Sequence, residues 1–183
     1  MHFSELKIRG AWTIEPSPHL DDRGAFLRAW CVDEFAAHGI DFTPLQASIG
    51  VNRRAGTVRG LHYQLAPHAE TKLVRCVRGS VFDVVVDLRP ESATFGQWFG
   101  AELSASNARM MVVPPGCAHG YQTLEDNSDV HYMTSAMYEP SAARGLQYDD
   151  PTVGIRWPLP PTVLSDQDKR WPSLQDPSLA TSR

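Results

Sequence analysis

Alternation of apolar and polar side chains dominates the middle of the chain. The clearest run is Val81-Phe-Asp-Val-Val-Val-Asp-Leu88. Phe82, Val84, Val86 and Leu88 share one face and Asp83 and Asp87 the other, the period of two that a strand imposes. This pattern assigns the two aspartates to the face away from the core. Runs rich in β-branched and aromatic residues predict further strands over 26–31, 57–64, 72–77, 97–103, 109–113 and 130–135, and an N-terminal strand over 7–14. Turn residues separate them, among them Gly56, Arg78-Gly79, Pro90-Glu91-Ser92 and Pro114-Pro115-Gly116. Many short strands at this spacing predict an all-β sandwich or barrel. Helices are few: one over 33–38, stopped by Gly39, and one over 165–171 with Ser165 as N-cap. The prolines of Trp157-Pro-Leu-Pro-Pro161 remove backbone donors, so this stretch reads as a connection laid over the barrel.

Composition narrows the class. The 183 residues fit one domain, with a packed part over about 5–172 and a frayed tail over 173–183. With 42% hydrophobic and 21% charged residues, the chain is expected to fold rather than stay disordered. No apolar run approaches the ~20 residues of a membrane span. The opening residues, MHFSELKIRGAW, hold no signal-peptide core, so secretion is not expected. The net charge of −4, with 17 basic against 21 acidic residues, argues against nucleic acid as partner. Basic residues gather locally at Arg53, Arg54, Arg59, Lys72, Arg75 and Arg78, which suits a small anionic ligand. Cys31, Cys76 and Cys117 have neither disulfide nor zinc spacing, and a reducing cytoplasm is the expected compartment.

Two histidines stand out. His62 lies in RGLHYQ at 59–64, and His119 follows the turn in PPGCAHGY at 114–121. The second matches the PxGxxH element of cupin barrels, whose turn delivers a histidine inward. Metal-binding cupins pair it with HxH and a glutamate, but Gln64 stands two residues after His62 and Glu70 is off the expected spacing. Two histidines do not complete the three or four ligands a metal needs, so no metal is expected. Strict alternation puts Arg59 and His62 on opposite faces of their strand. Both reach one cavity only if the strand is irregular, and Gly60 is the candidate bulge.

DDRGAF at 21–26, RGLHYQ at 59–64, KLVRCVRGSVFDVVVDLRPESATFG at 72–96, PPGCAHGY at 114–121, DDPTVGIRWP at 149–158 and LSDQD at 164–168 occur in this order. Together they resemble the dTDP-4-dehydrorhamnose 3,5-epimerase family over roughly residues 5–172. The resemblance implies a cupin-type jelly-roll barrel, a homodimer, no cofactor and a nucleotide-linked 4-keto-6-deoxy sugar as substrate. The C4 ketone of such a sugar acidifies the hydrogens on C3 and C5. Epimerisation therefore needs a base on one face, an acid on the other and a positive group at the enolate oxygen. The resemblance implies His62 as base, Asp168 as its partner, Tyr132 as acid and Lys72 at the enolate. It implies Arg23 and Arg59 at the phosphates, Phe26 contributing from a neighbouring subunit, and Tyr138 beside the base or sugar. Asp83 is placed near His62 and Lys72, tuning them, while Asp87 reads as an ion pair with Arg89.

Structural readings stand beside these. Asp168 has a second reading as a helix cap, Tyr132 as a barrel-filling aromatic, Lys72 as an edge-strand lysine and Arg23 as an exposed turn residue. His119 divides evenly between a sugar contact and a structural histidine. Departures concern the nucleotide end. Arg28 stands where the family commonly has Glu near the base, the stretch 46–56, beginning at Gln46, rearranges polar groups toward base or ribose, Met133 replaces a common Lys, and Tyr148 a common Trp. These leave open dTDP against CDP or GDP, and C3, C5 or both. A metal-dependent cupin and a non-catalytic sugar-nucleotide-binding barrel are the readings of other classes.

Overall fold

The computed structural model describes residues 1–176; the part of the expected tail over 177–183 lies outside the described residues. Thirteen strands and one short helix follow in order: β1 (His2–Glu5), β2 (Trp12–Glu15), β3 (His19–Asp21), β4 (Gly24–Phe26), α1 (Val32–Ala37), β5 (Gln46–Asn52), β6 (Val58–Gln64), β7 (Lys72–Arg78), β8 (Ser80–Asp87), β9 (Trp98–Ser104), β10 (Met110–Val113), β11 (Cys117–Thr123), β12 (Ser128–Thr134) and β13 (Ala143–Gly145). A six-stranded sheet has the order β1-β2-β10-β7-β12-β5, and a five-stranded sheet the order β13-β6-β11-β8-β9. Every pairing within them is antiparallel. The two sheets pack face to face as the expected jelly-roll barrel.

Three apolar layers hold it. Between the sheets lie Val74, Met111 and Val130 from one side and Val81, Val85, Leu103 and Tyr121 from the other. Outside the five-stranded sheet, Leu61, Val84, Val86 and Ala118 are covered by Leu146, Val153, Trp157 and Leu174. Outside part of the six-stranded sheet, Leu73, Met110 and Val112 are covered by Phe35, Ile40 and Phe42. Each fully buried Val or Leu contributes about 1.5–3 kcal/mol against exposure. The segment through Trp157 does lie over the barrel, and Leu159 exchanges two backbone hydrogen bonds with the Gln122 amide. Leu174 is buried, so packed chain continues beyond residue 172.

Several expectations change. Strand β8 is buried on both faces: Asp83 and Asp87 are fully inaccessible and point between the sheets with Val81 and Val85. Alternation identifies two faces; it does not say that the second is wet. Asp87 is tolerated there because Arg89, Ser92 and Thr94 all donate to it, the shortest at 2.6 Å. Burial raises its carboxyl, but those donors outweigh it and hold the group far below the usual range. The strand expected over 26–31 ends at Phe26, because β3 and β4 form a separate hairpin paired with neither large sheet. The strand expected over 7–14 is only β2, and it pairs with β1 and β10 of its own chain. The helix expected over 165–171 is a single 3-10 turn at Asp168–Arg170, without a side-chain cap at its first residue, although Ser165 Oγ accepts from the Asp168 amide at 3.0 Å. Among the described residues no helix is long and apolar enough to cross a membrane.

Candidate active site

One end of the barrel opens into a cavity of about 690 Å³ between the two sheets. Strand β6 supplies His62, and its carboxylate partner is Asp168, 106 residues later, with Nε2 and Oδ1 2.6 Å apart. Burial raises the Asp168 carboxyl; bonds from His62, Ser165 and Trp171 outweigh it, so the group stays below its ordinary value and ionised. An ionised acceptor requires the proton on Nε2, which leaves Nδ1 as the basic nitrogen. Asp168 is therefore no mere cap. Trp171 Nε1 donates to the same oxygen at 3.2 Å, and its ring stands edge-on to the imidazole. Gly145 in β13 makes room for it, since a Cβ there would sit 2.3 Å from the indole.

Arg59 and His62 do reach the same cavity. The pairing of β6 with β11 matches Arg59 to Tyr121 and His62 to His119, so Gly60 and Leu61 together oppose Gly120. This is the expected bulge. Gly60 has φ +125°, and its missing Cβ lets the backbone of β11 approach.

Tyr132, from β12 on the six-stranded sheet, lines the cavity from the wall opposite His62. Tyr121, also on the lining, is buried, accepts from Asn52 Nδ2 at 3.3 Å, and is pushed by burial up to about 12. Tyr132 is only half-buried and is the more accessible phenol. Lys72 opens β7, nearly buried, with Nζ 3.2 Å from Glu70 Oε1 and donating to the His62 carbonyl at 3.1 Å. Its third proton is left for the cavity.

His119 also lines the cavity, directly across from His62, and Nε2 lies 2.8 Å from Asp83 Oδ1. The sequence associated Asp83 with His62 and Lys72; its bonded partner is His119, and its other oxygen is buried without one. The cavity thus holds two histidine–aspartate pairs on neighbouring strands. Arg59 is steered by Asn52 Oδ1 at 2.7 Å. Gln46 and Tyr138 line the mouth, where the Tyr138 amide donates to Gln46 Oε1 at 2.6 Å.

Three expected residues are elsewhere. Arg23 sits on the β3–β4 hairpin with its side chain 89% exposed, bonded to Asp21. Phe26, on the same hairpin, is 74% exposed. Arg28 pairs with Glu34 at 2.7 Å and lines a separate recess beside Arg75. On this hairpin, paired with neither large sheet, the Arg23 and Phe26 side chains face solvent instead of their own chain's cavity. Conversely, sequence reasoning passed over Asn52, Tyr121 and Trp171, and used Glu70 only to count metal ligands. No local motif marks them, because the groups they hold, Arg59, Lys72 and the His62–Asp168 pair, come together as one site only in the closed barrel. Among the described residues no group of three or more His, Cys, Asp or Glu is placed to hold a metal ion.

Comparison with known proteins agrees with this architecture. The family described as dTDP-4-dehydrorhamnose 3,5-epimerase matches residues 5–176. A curated dTDP-4-dehydrorhamnose 3,5-epimerase of Sinorhizobium fredii is 43% identical over 175 residues, 95% of this chain and 90% of the relative. A dTDP-4-dehydrorhamnose 3-epimerase of Streptomyces niveus is 39% identical over 170 residues, 92% of this chain and 82% of that protein. The solved rmlC epimerase of Mycobacterium tuberculosis superposes with a TM-score of 0.95 at 40% identity, covering 100% of this chain and 92% of that one. The Legionella pneumophila enzyme, solved with dTDP-4-keto-L-rhamnose, gives a TM-score of 0.90 at 35% identity, covering 97% of this chain and 96% of that one. The chain belongs to the dTDP-4-dehydrorhamnose 3,5-epimerase family.

Proposed function

We propose that this protein is an isomerase that epimerises dTDP-4-dehydro-6-deoxy-D-glucose at C3 and C5. One observation carries the reading: an oriented His62–Asp168 pair and the Tyr132 phenol line opposite walls of one cavity that also holds the Lys72 ammonium. Nδ1 of His62 takes the proton from the carbon next to the ketone. The C–H electron pair moves into the carbonyl, and charge develops on O4. Lys72 meets that charge with its remaining N–H. Tyr132 returns a proton from the opposite face, inverting the carbon. Solvent then removes the proton from His62 and reprotonates the phenolate. Only protons and electron pairs move, so the scheme uses no cofactor. Arg59 binds the diphosphate with guanidinium donors left over from Asn52, His119 contacts the sugar, and Gln46 and Tyr138 contact the nucleotide at the mouth.

The test is proton NMR in D2O with this substrate. Deuterium enters both C3 and C5; entry at C3 alone would make the protein a 3-epimerase, the activity named for its Streptomyces niveus relative.

The functional unit is a homodimer in which the β3–β4 hairpin reaches the other chain's cavity, carrying Arg23 to the phosphates and Phe26 to the nucleotide. Two observations support this. All eight hairpin residues, 19–26, are exposed, and the outer face of edge strand β5 shows Ile49 and Val51 to solvent, 60% and 62% exposed. Sedimentation equilibrium gives two chains per particle. Replacing Ile49 and Val51 together by Asp yields single chains, with dTDP affinity reduced about tenfold or more. A variant that stays dimeric at full affinity refutes the arrangement.

A further inference from the structure

We propose that Glu70 is the positioning residue for Lys72, holding it charged and aimed at O4, and that through Gln64 the same carboxylate braces the loop carrying Tyr138. This rests on the epimerase reading and extends it to a residue with no part in the proton transfers.

Glu70 lies in the connection between β6 and β7 and is only 7% exposed. Both of its oxygens are used. Oε1 is 3.2 Å from Lys72 Nζ, and Oε2 accepts from Gln64 Nε2 at 2.6 Å. The two protons of Gln64 Nε2 are shared between Glu70, the His68 carbonyl at 2.9 Å and, more weakly, the Met137 carbonyl at 3.3 Å, and its Oε1 accepts from the Glu139 amide at 2.7 Å. The 137–139 segment is thus clamped on both sides of Tyr138, whose own amide is held by Gln46. Gln64 stands where a metal-binding cupin of this type would place its second histidine; here that position is a brace.

A buried ammonium is costly without a counter-charge. Burial drives Lys72 toward its neutral form, and Glu70 is the foremost group opposing it, with Asp83 on β8 a weaker second. The cavity's other carboxylate, Asp168, is engaged by His62 and Trp171 and does not figure among the groups that hold Lys72 charged. Across β7, Lys72 faces Thr134 of β12 and Val113 of β10. His62 of β6 offers a backbone carbonyl, and the cavity brings the rings of His119 and Tyr132. Without Glu70, Lys72 loses its proton at lower pH, and a neutral amine gives the enolate little stabilisation.

Glu70→Gln preserves shape and removes the charge; Glu70→Asp keeps the charge. The first readout needs no substrate: trace acetylation of Lys72 by acetic anhydride across pH 6–10, followed by mass spectrometry of its peptide. The pH of half-maximal labelling falls by about one unit or more in Glu70→Gln and by less in Glu70→Asp. The second readout is deuterium exchange with the ketosugar: the alkaline limb of kcat moves down by the same amount in Glu70→Gln, with KM little changed. Identical labelling curves for wild type and Glu70→Gln overturn the inference, as does a labelling shift with an unmoved alkaline limb. A labelling shift alongside a wild-type protein inert toward the ketosugar supports the ion pair and overturns the epimerase reading instead.

Discussion

Replacing His62 by Ala lowers deuterium exchange at C3 and C5 by about a thousandfold or more, in line with the contribution of a positioned general base. Its ring is partly exposed and bonded chiefly to Asp168, so the variant keeps its fold and melts near the wild-type temperature. Asp168→Asn keeps the shape but removes the charge that holds the proton on Nε2, and loses about a hundredfold. Tyr132→Phe separates the two half-reactions. His62 still removes and returns a proton on its own face, so deuterium enters without inversion at the carbon. Wild-type exchange in His62→Ala sinks the assignment of the base. Equal loss of exchange and inversion in Tyr132→Phe sinks the division of roles between the two walls.

Gly60→Ala is expected to be the most damaging small change in the chain. A Cβ on Gly60 would meet Gly120 Cα at 2.6 Å and the His119 carbonyl at 2.9 Å, and φ is +125°. Both contacts are backbone, so no side chain can swing aside. Overpacking together with a conformation hostile to L side chains costs about 3 kcal/mol or more, which lowers Tm by roughly 6–12 °C for a chain of this size. Activity falls further than stability, because the bulge is what turns both Arg59 and His62 into the cavity. Thermal melting beside exchange kinetics checks this. An unchanged melt with full activity would mean that the bulge does not organise the site.

Much of the scaffold is legible in the sequence because strands impose a period of two on their side chains. Strands β6 to β10 and β12 fall within one or two residues of the runs rich in β-branched and aromatic residues. Strand β8 shows the limit. Its alternation reveals two faces, but Asp83 and Asp87 look solvent-facing until His119 and Arg89 come beside them. Strand β5 carries too few apolar residues on its inner face to announce itself, since Gln46, Ser48 and Gly50 line the cavity instead. The 26–31 run is apolar without being a strand in either sheet, because its hairpin is free of both.

The order of motifs along the chain, read alone, determined the family, the barrel class and a short set of proton-transfer candidates, because those motifs lie within contiguous segments. It also placed the irregularity at Gly60, because only glycine fits a tight bulge between two residues needed on one side. Tertiary structure decided the pairings that span the chain: Asp168 with His62 and Asp83 with His119. It also put Arg23, Phe26 and Arg28 outside the cavity of their own chain. The physical reason is range. Periodicity and turn chemistry act between residues a few positions apart. A buried charge, by contrast, is made tolerable by whichever opposite charge the closed barrel brings within about 3 Å, at any distance along the chain.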